Sequence, residues 1–173
     1  MKSGIRKRLS EQFKQEKGFT LLELIVTITL IGILSYMALS EFSNSTTILK
    51  EKTLAKRIVA DARYAQEMAL SHRQLVKFYV EQSQNRYSLK WADNSYLQTP
   101  MAEQDFIVDL DEGDFVGIEI SSTGFSAGLL SFTADGQPLN NGSPLSVETA
   151  LITLDGEITI KIVPGTGRCY IED

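Results

Sequence analysis

The apolar residues divide the chain into regions that differ in their spacing. Residues 1–18 are polar and basic, and residues 19–40 are almost entirely apolar. Within residues 41–72, apolar positions recur every three or four residues from residue 54 to residue 69, which is the spacing of one helix face. This face contains Leu54, Ile58, Ala62, Ala65 and Ala69. The pattern predicts one long helix over residues 19–72, whose second part is amphipathic and packs on a domain.

Beyond this helix the spacing of apolar residues changes to two, which is typical of strands. Short apolar runs separated by Asp-Gly, Asn-Gly and Pro-Gly turn signals predict an antiparallel β domain over residues 73–173. The predicted strands cover residues 75–80, 86–91, 105–110, 114–120, 129–133, 150–154 and 157–163. The pair that flanks Asp155-Gly156 predicts a hairpin with a two-residue type I′ turn. The predicted fold class is therefore α+β, with a long N-terminal helix packed on an antiparallel sheet or sandwich.

Residues 19–40 also have the length and composition of a membrane span. The 21 residues from Phe19 to Leu39 would form a helix of about 31 Å, close to the roughly 30 Å of a bilayer's hydrocarbon core. Lysine and arginine crowd its N-terminal side, so the positive-inside rule places residues 1–18 in the cytoplasm and the C-terminal domain across the membrane. Tyr36-Met37-Ala38 does not form a small-x-small cleavage site, so we expect the helix to remain as a single-pass anchor.

Charge is distributed unevenly along the chain. Residues 1–18 hold six basic and two acidic residues, a net charge of +4, while the whole chain carries −5, which leaves −9 for the remainder. A body that acidic does not favour general nucleic-acid binding, because phosphate contacts need a basic surface. Residues 50–77 are locally basic, with seven basic and three acidic residues. That strip could stack on the acidic β domain of a neighbour, or it could be a solvated helix face.

The residue types that most often carry catalysis are scarce. The single cysteine, Cys169, cannot form an internal disulfide and is interpreted as a small buried side chain. The single histidine, His72, ends the predicted helix, where a partly cationic imidazole suits the helix dipole. No Ser-His-Asp arrangement, metal-ligand cluster or phosphate-binding loop stands out in the sequence, so we do not expect an enzyme.

The acidic stretch DFIVDLDEGD, residues 105–114, is the strongest candidate for a metal site. Asp109 and Asp111 lie at alternate positions, as the ligands of a calcium loop do, but Gly113 occupies the third place. Acidic residues in a turn between strands are usually solvated. The sequence therefore predicts no cofactor, with calcium as the alternative.

The stretch Gly18-Phe19-Thr20-Leu21-Leu22-Glu23 lies where the basic leader meets the apolar region. It closely resembles the processing site of type IV prepilins and type II secretion pseudopilins. The resemblance implies that a membrane-embedded prepilin peptidase cuts between Gly18 and Phe19 and then methylates the new amine of Phe19. It also implies that residues 1–18 are a cleaved cytoplasmic leader. The implied partners are this peptidase, other pilins or pseudopilins, and an inner-membrane assembly platform.

Glu23 is a carboxylate at the edge of the apolar run. An acidic residue costs about 2.5 kcal/mol or more at the bilayer centre on insertion scales and less near an interface, so a function and a partner are expected. In the family that the motif resembles, the amine created at Phe19 pairs with this carboxylate of the same or a neighbouring chain and sets subunit register. The alternative is a carboxylate at the headgroup level of an ordinary signal anchor.

The rest of the chain resembles the minor pseudopilin H class, the GspH/FimT type, in which a long helix enters a compact β domain. The resemblance lies in residues 54–80, in FTADGQP at 132–138 and in the closing ITLDGEITIKIVPGTGR at 152–168. It implies a minor subunit of a type II secretion or type IV pilus filament. Its domain would lie in the periplasm before assembly into a pseudopilus or surface pilus.

Two further functions stay open on the sequence alone. One is a filament-tip binding module for DNA uptake or adhesion, and the other is an anchored periplasmic domain that never polymerises. A single cysteine cannot supply the disulfide-closed C-terminal region of many major pilins, which favours a minor subunit.

Overall fold

The structure is a computed structural model that describes most of the chain from residue 18 onward. The described residues are 18–100, 102–155 and 157–172. Within these ranges, residues 38–45 are described by their backbone alone. The predicted leader therefore lies outside the described residues except for Gly18. The chain divides into two units, residues 1–44 and residues 45–173.

The first unit contains the beginning of the long helix α1, Leu21–His72. This start lies two residues after the predicted one, because Thr20 caps the helix with its side chain. The described side chains of residues 19–37 are all exposed. Within the described part of the chain, no helix combines the length and the apolar character needed to cross a membrane. The membrane span over residues 19–40 stays a prediction.

In the second unit, the described residues form ten strands in two antiparallel sheets. The strands are β1 (Val76–Glu81), β2 (Arg86–Trp91), β3 (Ile107–Asp109), β4 (Ile120–Ser122), β5 (Leu129–Phe132), β6 (Pro138–Asn140), β7 (Ser143–Pro144), β8 (Thr149–Leu154), β9 (Ile158–Ile162) and β10 (Cys169–Glu172). One sheet has the order β3-β2-β1-β5-β6-β7, and the other has the order β10-β9-β8-β4. The predicted α+β class is confirmed.

The predicted apolar face of α1 forms the helix side of the core. Its five members, Leu54, Ile58, Ala62, Ala65 and Ala69, are all 0% exposed. They belong to one buried cluster with Phe78 of β1, Leu89 of β2 and Ile160 of β9, so both sheets share a core with the helix. Three of the five are alanine, and such small side chains let a helix backbone approach a sheet closely.

The strand predictions succeed where alternation is long and fail where glycine interrupts it. β2 has the predicted bounds, but the strand predicted over residues 114–120 is wrong. A short 3-10 turn occupies Gly113–Phe115, and β4 begins only at Ile120. Gly113 and Gly117 have φ of 74° and 94°, in the left-handed region that favours glycine and ends an extended strand.

The β8–β9 hairpin is confirmed, although its connection is longer than predicted. Leu154 pairs with Ile158, which leaves three residues between the strands instead of the two of a type I′ turn. Asp155, the first of the three, has φ of 44°.

Candidate processing and assembly site

Thr20 sets the position at which α1 begins. The backbone N–H of Glu23 donates to Thr20 Oγ1 at 3.2 Å. The backbone N–H of Leu24 donates to the carbonyl oxygen of Thr20 at 3.1 Å, which is the first bond of the helical ladder. Thr20 is therefore the N-cap, and its side chain satisfies one of the backbone donors that a helix start leaves free. The sequence prediction misses this role, although Thr-x-x-Glu is the spacing of a capping box.

Gly18 and Phe19, the residues of the predicted cleavage site, lie before the helix. Both are exposed, and the Phe19 side chain is 78% exposed. A Cβ added at Gly18 would meet no atom within 4 Å, and its φ lies outside the left-handed region. Nothing in the described chain therefore requires glycine at this position. A requirement for glycine here would come from an enzyme that approaches the backbone closely.

Glu23 lies in the first turn of α1, where the helix dipole favours a negative charge. The described ion pairs of the chain involve Asp61, Glu81 and Glu172 as their carboxylates. The predicted pairing of Glu23 with the Phe19 amine concerns an amine that exists only after cleavage, and it stays a prediction.

The first unit presents an apolar surface on all sides of its helix. Large apolar side chains that are half or more exposed include Leu21, Leu22, Leu24, Ile25, Ile28, Leu30, Ile31, Ile33 and Leu34. A helix that is apolar all round is normally buried in a protein core or in a membrane. This surface needs a cover from outside the described chain.

Two acidic side chains of the stretch considered for calcium, residues 105–114, accept hydrogen bonds from the protein itself. Asp109 Oδ1 accepts a hydrogen bond from the backbone N–H of Asp111 at 2.9 Å, and Asp111 Oδ1 accepts one from Asn85 Nδ2 at 2.8 Å. Among the described residues, no group of three or more histidine, cysteine, aspartate or glutamate residues is arranged to hold a metal ion.

The surroundings of His72 and Cys169 indicate structural roles for both side chains. His72 Nδ1 lies 3.3 Å from the carbonyl oxygen of Met68 in the last turn of α1, and the imidazole meets the Trp91 ring edge-on at 5.1 Å. Burial raises the pKa of the Cys169 thiol to about 12. The thiol is therefore protonated at neutral pH and is a poor nucleophile.

The basic strip on α1 lies beside acidic residues of its own unit. Arg57 Nε is 3.6 Å from Asp61 Oδ2, and Arg57 lines a groove together with Asp109. Lys50 lines a second groove together with Asp114. Some basic residues of the helix thus lie near acidic residues of the β domain in the same chain. Head-to-tail stacking of the helix on a neighbour's β domain stays a prediction.

These features define the class of the protein. An N-terminal helix with an exposed apolar start and a second part packed on antiparallel sheets is the α+β, type IV pilin-like architecture. Residues 13–39 match the prokaryotic N-terminal methylation motif, the prepilin signal of type IV pilin-like proteins. The match spans Gly18, Phe19 and Glu23. A search of curated proteins and a search of solved structures gave no match.

The motif supports a type IV pilin or pseudopilin. Proteins that carry it are substrates of prepilin peptidase, assemble with other pilins and are structural subunits rather than enzymes. The expectation that the chain is not an enzyme agrees with this match. The motif does not distinguish secretion from pilus systems, and the minor pseudopilin H class stays a prediction.

Proposed function

We propose that the chain is a minor structural subunit of a type II secretion or type IV pilus filament, made as a precursor with a leader of residues 1–18. The observation that carries the proposal is the methylation motif at the start of a helix whose first part, residues 21–37, exposes apolar side chains on every side. Lipid would cover these side chains before assembly, and helices of neighbouring subunits would cover them afterwards.

Prepilin peptidase would hydrolyse the peptide bond between Gly18 and Phe19 on the cytoplasmic face of the inner membrane. Water adds to the carbonyl carbon of Gly18, the bond to the Phe19 nitrogen breaks, and a proton of that water passes to the nitrogen, which leaves a carboxyl group on Gly18 and an amine on Phe19. The enzyme then transfers to this amine a methyl group from a separate activated methyl donor. Residues 19–40 would anchor the mature chain in the inner membrane. The second unit, residues 45–173, would lie in the periplasm until an assembly platform extracts the subunit.

Glu23 would form an ion pair with the positively charged amine of Phe19, on its own chain or on a neighbour. In the precursor the carboxylate lies at the positive end of the helix dipole, so its position already favours a negative charge. In an apolar filament core an unpaired carboxylate would be costly, and a paired one would fix the register of adjacent helices.

Intact-mass spectrometry of the membrane-extracted protein tests this proposal. The expected product lacks 18 residues and carries one added methyl group on Phe19. Gly18→Val should block cleavage, whereas the matched substitution Gly32→Val, at another glycine with open space around it, should not. An uncut chain in the presence of an active prepilin peptidase would refute the proposal.

The role of Glu23 needs a separate readout. Glu23→Leu and Glu23→Gln should both be cleaved, and both should fail to enter filaments, because neither carries a charge to pair with the amine. The Gln variant keeps the length and polarity of the side chain and so isolates the charge. Normal incorporation of Glu23→Gln into sheared filaments would show that the pairing is not needed.

A further inference from the structure

We infer that Thr20 is a positioning residue for leader removal. By starting the helix after the cleavage site, it keeps the Gly18 carbonyl outside the helical hydrogen-bond ladder and open to attack. The inference rests on the proposed function, since it presupposes cleavage between Gly18 and Phe19.

The geometry at the helix start carries this inference. The first carbonyl in the ladder belongs to Thr20, which accepts from the Leu24 N–H at 3.1 Å. The Thr20 hydroxyl oxygen accepts from the Glu23 N–H at 3.2 Å. Residues 18–20 have no helical assignment, and Phe19 is 78% exposed. The scissile bond therefore lies before the helix.

A helix that began two residues earlier would change the chemistry of that bond. With Gly18 as the N-cap, its carbonyl would accept the first helical hydrogen bond, from the N–H of Leu22. Hydrolysis needs water to reach the carbonyl carbon of Gly18 while the bond to Phe19 breaks and the proton passes to the Phe19 amine. A carbonyl held in the ladder is less accessible to such an attack and must first be released.

The sequence itself makes this earlier start available. Glycine is tolerated as an N-cap almost as well as threonine, and the residues that follow Gly18 are compatible with helix. What favours the observed start is the Thr20 hydroxyl. Thr20 therefore has a function that is separate from any direct recognition of its shape by the peptidase.

The test compares substitutions that separate capping from shape. Thr20→Val keeps the branched shape and removes the cap, whereas Thr20→Ser and Thr20→Asn keep a capping oxygen. Thr27→Val is the matched control, because the Thr27 hydroxyl donates to the Leu24 carbonyl at 2.8 Å inside the helix and caps nothing. Each full-length precursor is placed in membranes with prepilin peptidase, and the first-order rate of leader removal is measured by mass spectrometry. Alkaline extraction confirms that each precursor is membrane-inserted.

We expect Thr20→Val to be cut more slowly than the parent, by up to roughly fivefold, because loss of an N-cap worth about 1 kcal/mol lowers the ratio of the later to the earlier helix start by about that factor. Ser and Asn variants should be cut within about twofold of the parent rate, and Thr27→Val should match it. Equal rates for Thr20→Val and the parent would overturn the inference. So would an Asn variant as slow as the Val variant, since the enzyme would then be reading the threonine shape. If the parent precursor is not cut at all, the proposed function fails first.

Discussion

The hydrogen bond between Tyr87 and Asp61 joins the long helix to the six-stranded sheet, and its removal has a calculable effect. The Tyr87 hydroxyl donates to Asp61 Oδ2 at 2.6 Å. Tyr87 is fully buried, and the Asp61 side chain is 15% exposed. Tyr87→Phe deletes only the hydroxyl, so the ring contacts stay and the carboxylate loses a donor. Hydrogen bonds to charged groups contribute about 1.5–3 kcal/mol, so we expect a loss of about 2 kcal/mol at neutral pH.

The destabilisation by Tyr87→Phe should depend on pH, because it involves the ionised form of Asp61. Burial raises the pKa of Asp61, while the Tyr87 hydroxyl and Arg57 act to lower it. A raised pKa means that this carboxyl favours the folded state below its unfolded pKa and that the contribution is lost as pH rises through the folded pKa. Removing the Tyr87 hydroxyl raises the pKa of Asp61 further. The destabilisation by Tyr87→Phe should therefore be larger near about pH 7 than near about pH 4.

Denaturant unfolding of the full chain in detergent, followed by far-ultraviolet circular dichroism at both pH values, measures the effect. Tyr79→Phe is the control, because Tyr79 is a half-buried tyrosine of the adjacent strand whose described contact is with the Lys90 ammonium over its ring. A cycle with Asp61→Asn separates the hydrogen bond from the charge. A loss below about 0.5 kcal/mol that does not change with pH would refute the reasoning.

Three further substitutions, one of them with a matched control, test other parts of the second unit by the same unfolding assay. Gly128→Ala should lower the free energy of unfolding by more than about 3 kcal/mol, because Gly128 has φ of 66° and an added Cβ would lie 2.1 Å from the Val80 carbonyl oxygen. The control Gly142→Ala, where φ is 81° and the space is open, should lower it by only about 1 kcal/mol. Equal losses would contradict the clash at Gly128. Burial, then repulsion from Asp155, raises the pKa of the 6% exposed Glu51, so Glu51→Gln should stabilise the fold near about pH 7 and lose that gain near about pH 4. Gln66→Ala should cost about 1–2 kcal/mol, because Gln66 Nε2 donates to two loop carbonyls at 2.7 Å each; an unchanged midpoint would argue against those bonds.

The helix was predictable from the sequence because its signal is local and repeated. The apolar face from Leu54 to Ala69 recurs over several turns, and each member is buried. The β domain was less predictable. β1 pairs with β5 across about fifty residues of chain, and no local pattern specifies that neighbour. β6 and β7 are short and contain proline, so they lack the alternation by which a strand is normally detected.

Gly18, Phe19 and Glu23 could be proposed as site residues because one contiguous motif, which the family match spans, contains all three; their roles stay predictions. The Asp61–Tyr87 pair was not readable, since its partners lie 26 positions apart and each alone looks like an ordinary surface or core residue. Thr20 is an intermediate case. Its spacing to Glu23 is visible in the sequence, but the helix start that it defines is a property of the folded backbone.

The two parts of α1 differ in whether their apolar side chains are buried. In residues 45–72 the apolar face is narrow, and the β domain buries it within the same unit. In residues 19–37 the apolar side chains cover every face, and they are exposed in the part of the chain that the structure describes. The core of the second unit contains no residue of 19–37, so under the proposed function burial of residues 19–37 would contribute to assembly rather than to folding of the β domain. The carboxylate of Glu23 fits this division, because the helix start favours its charge in the precursor, and under the proposed function an amine would neutralise it in the filament.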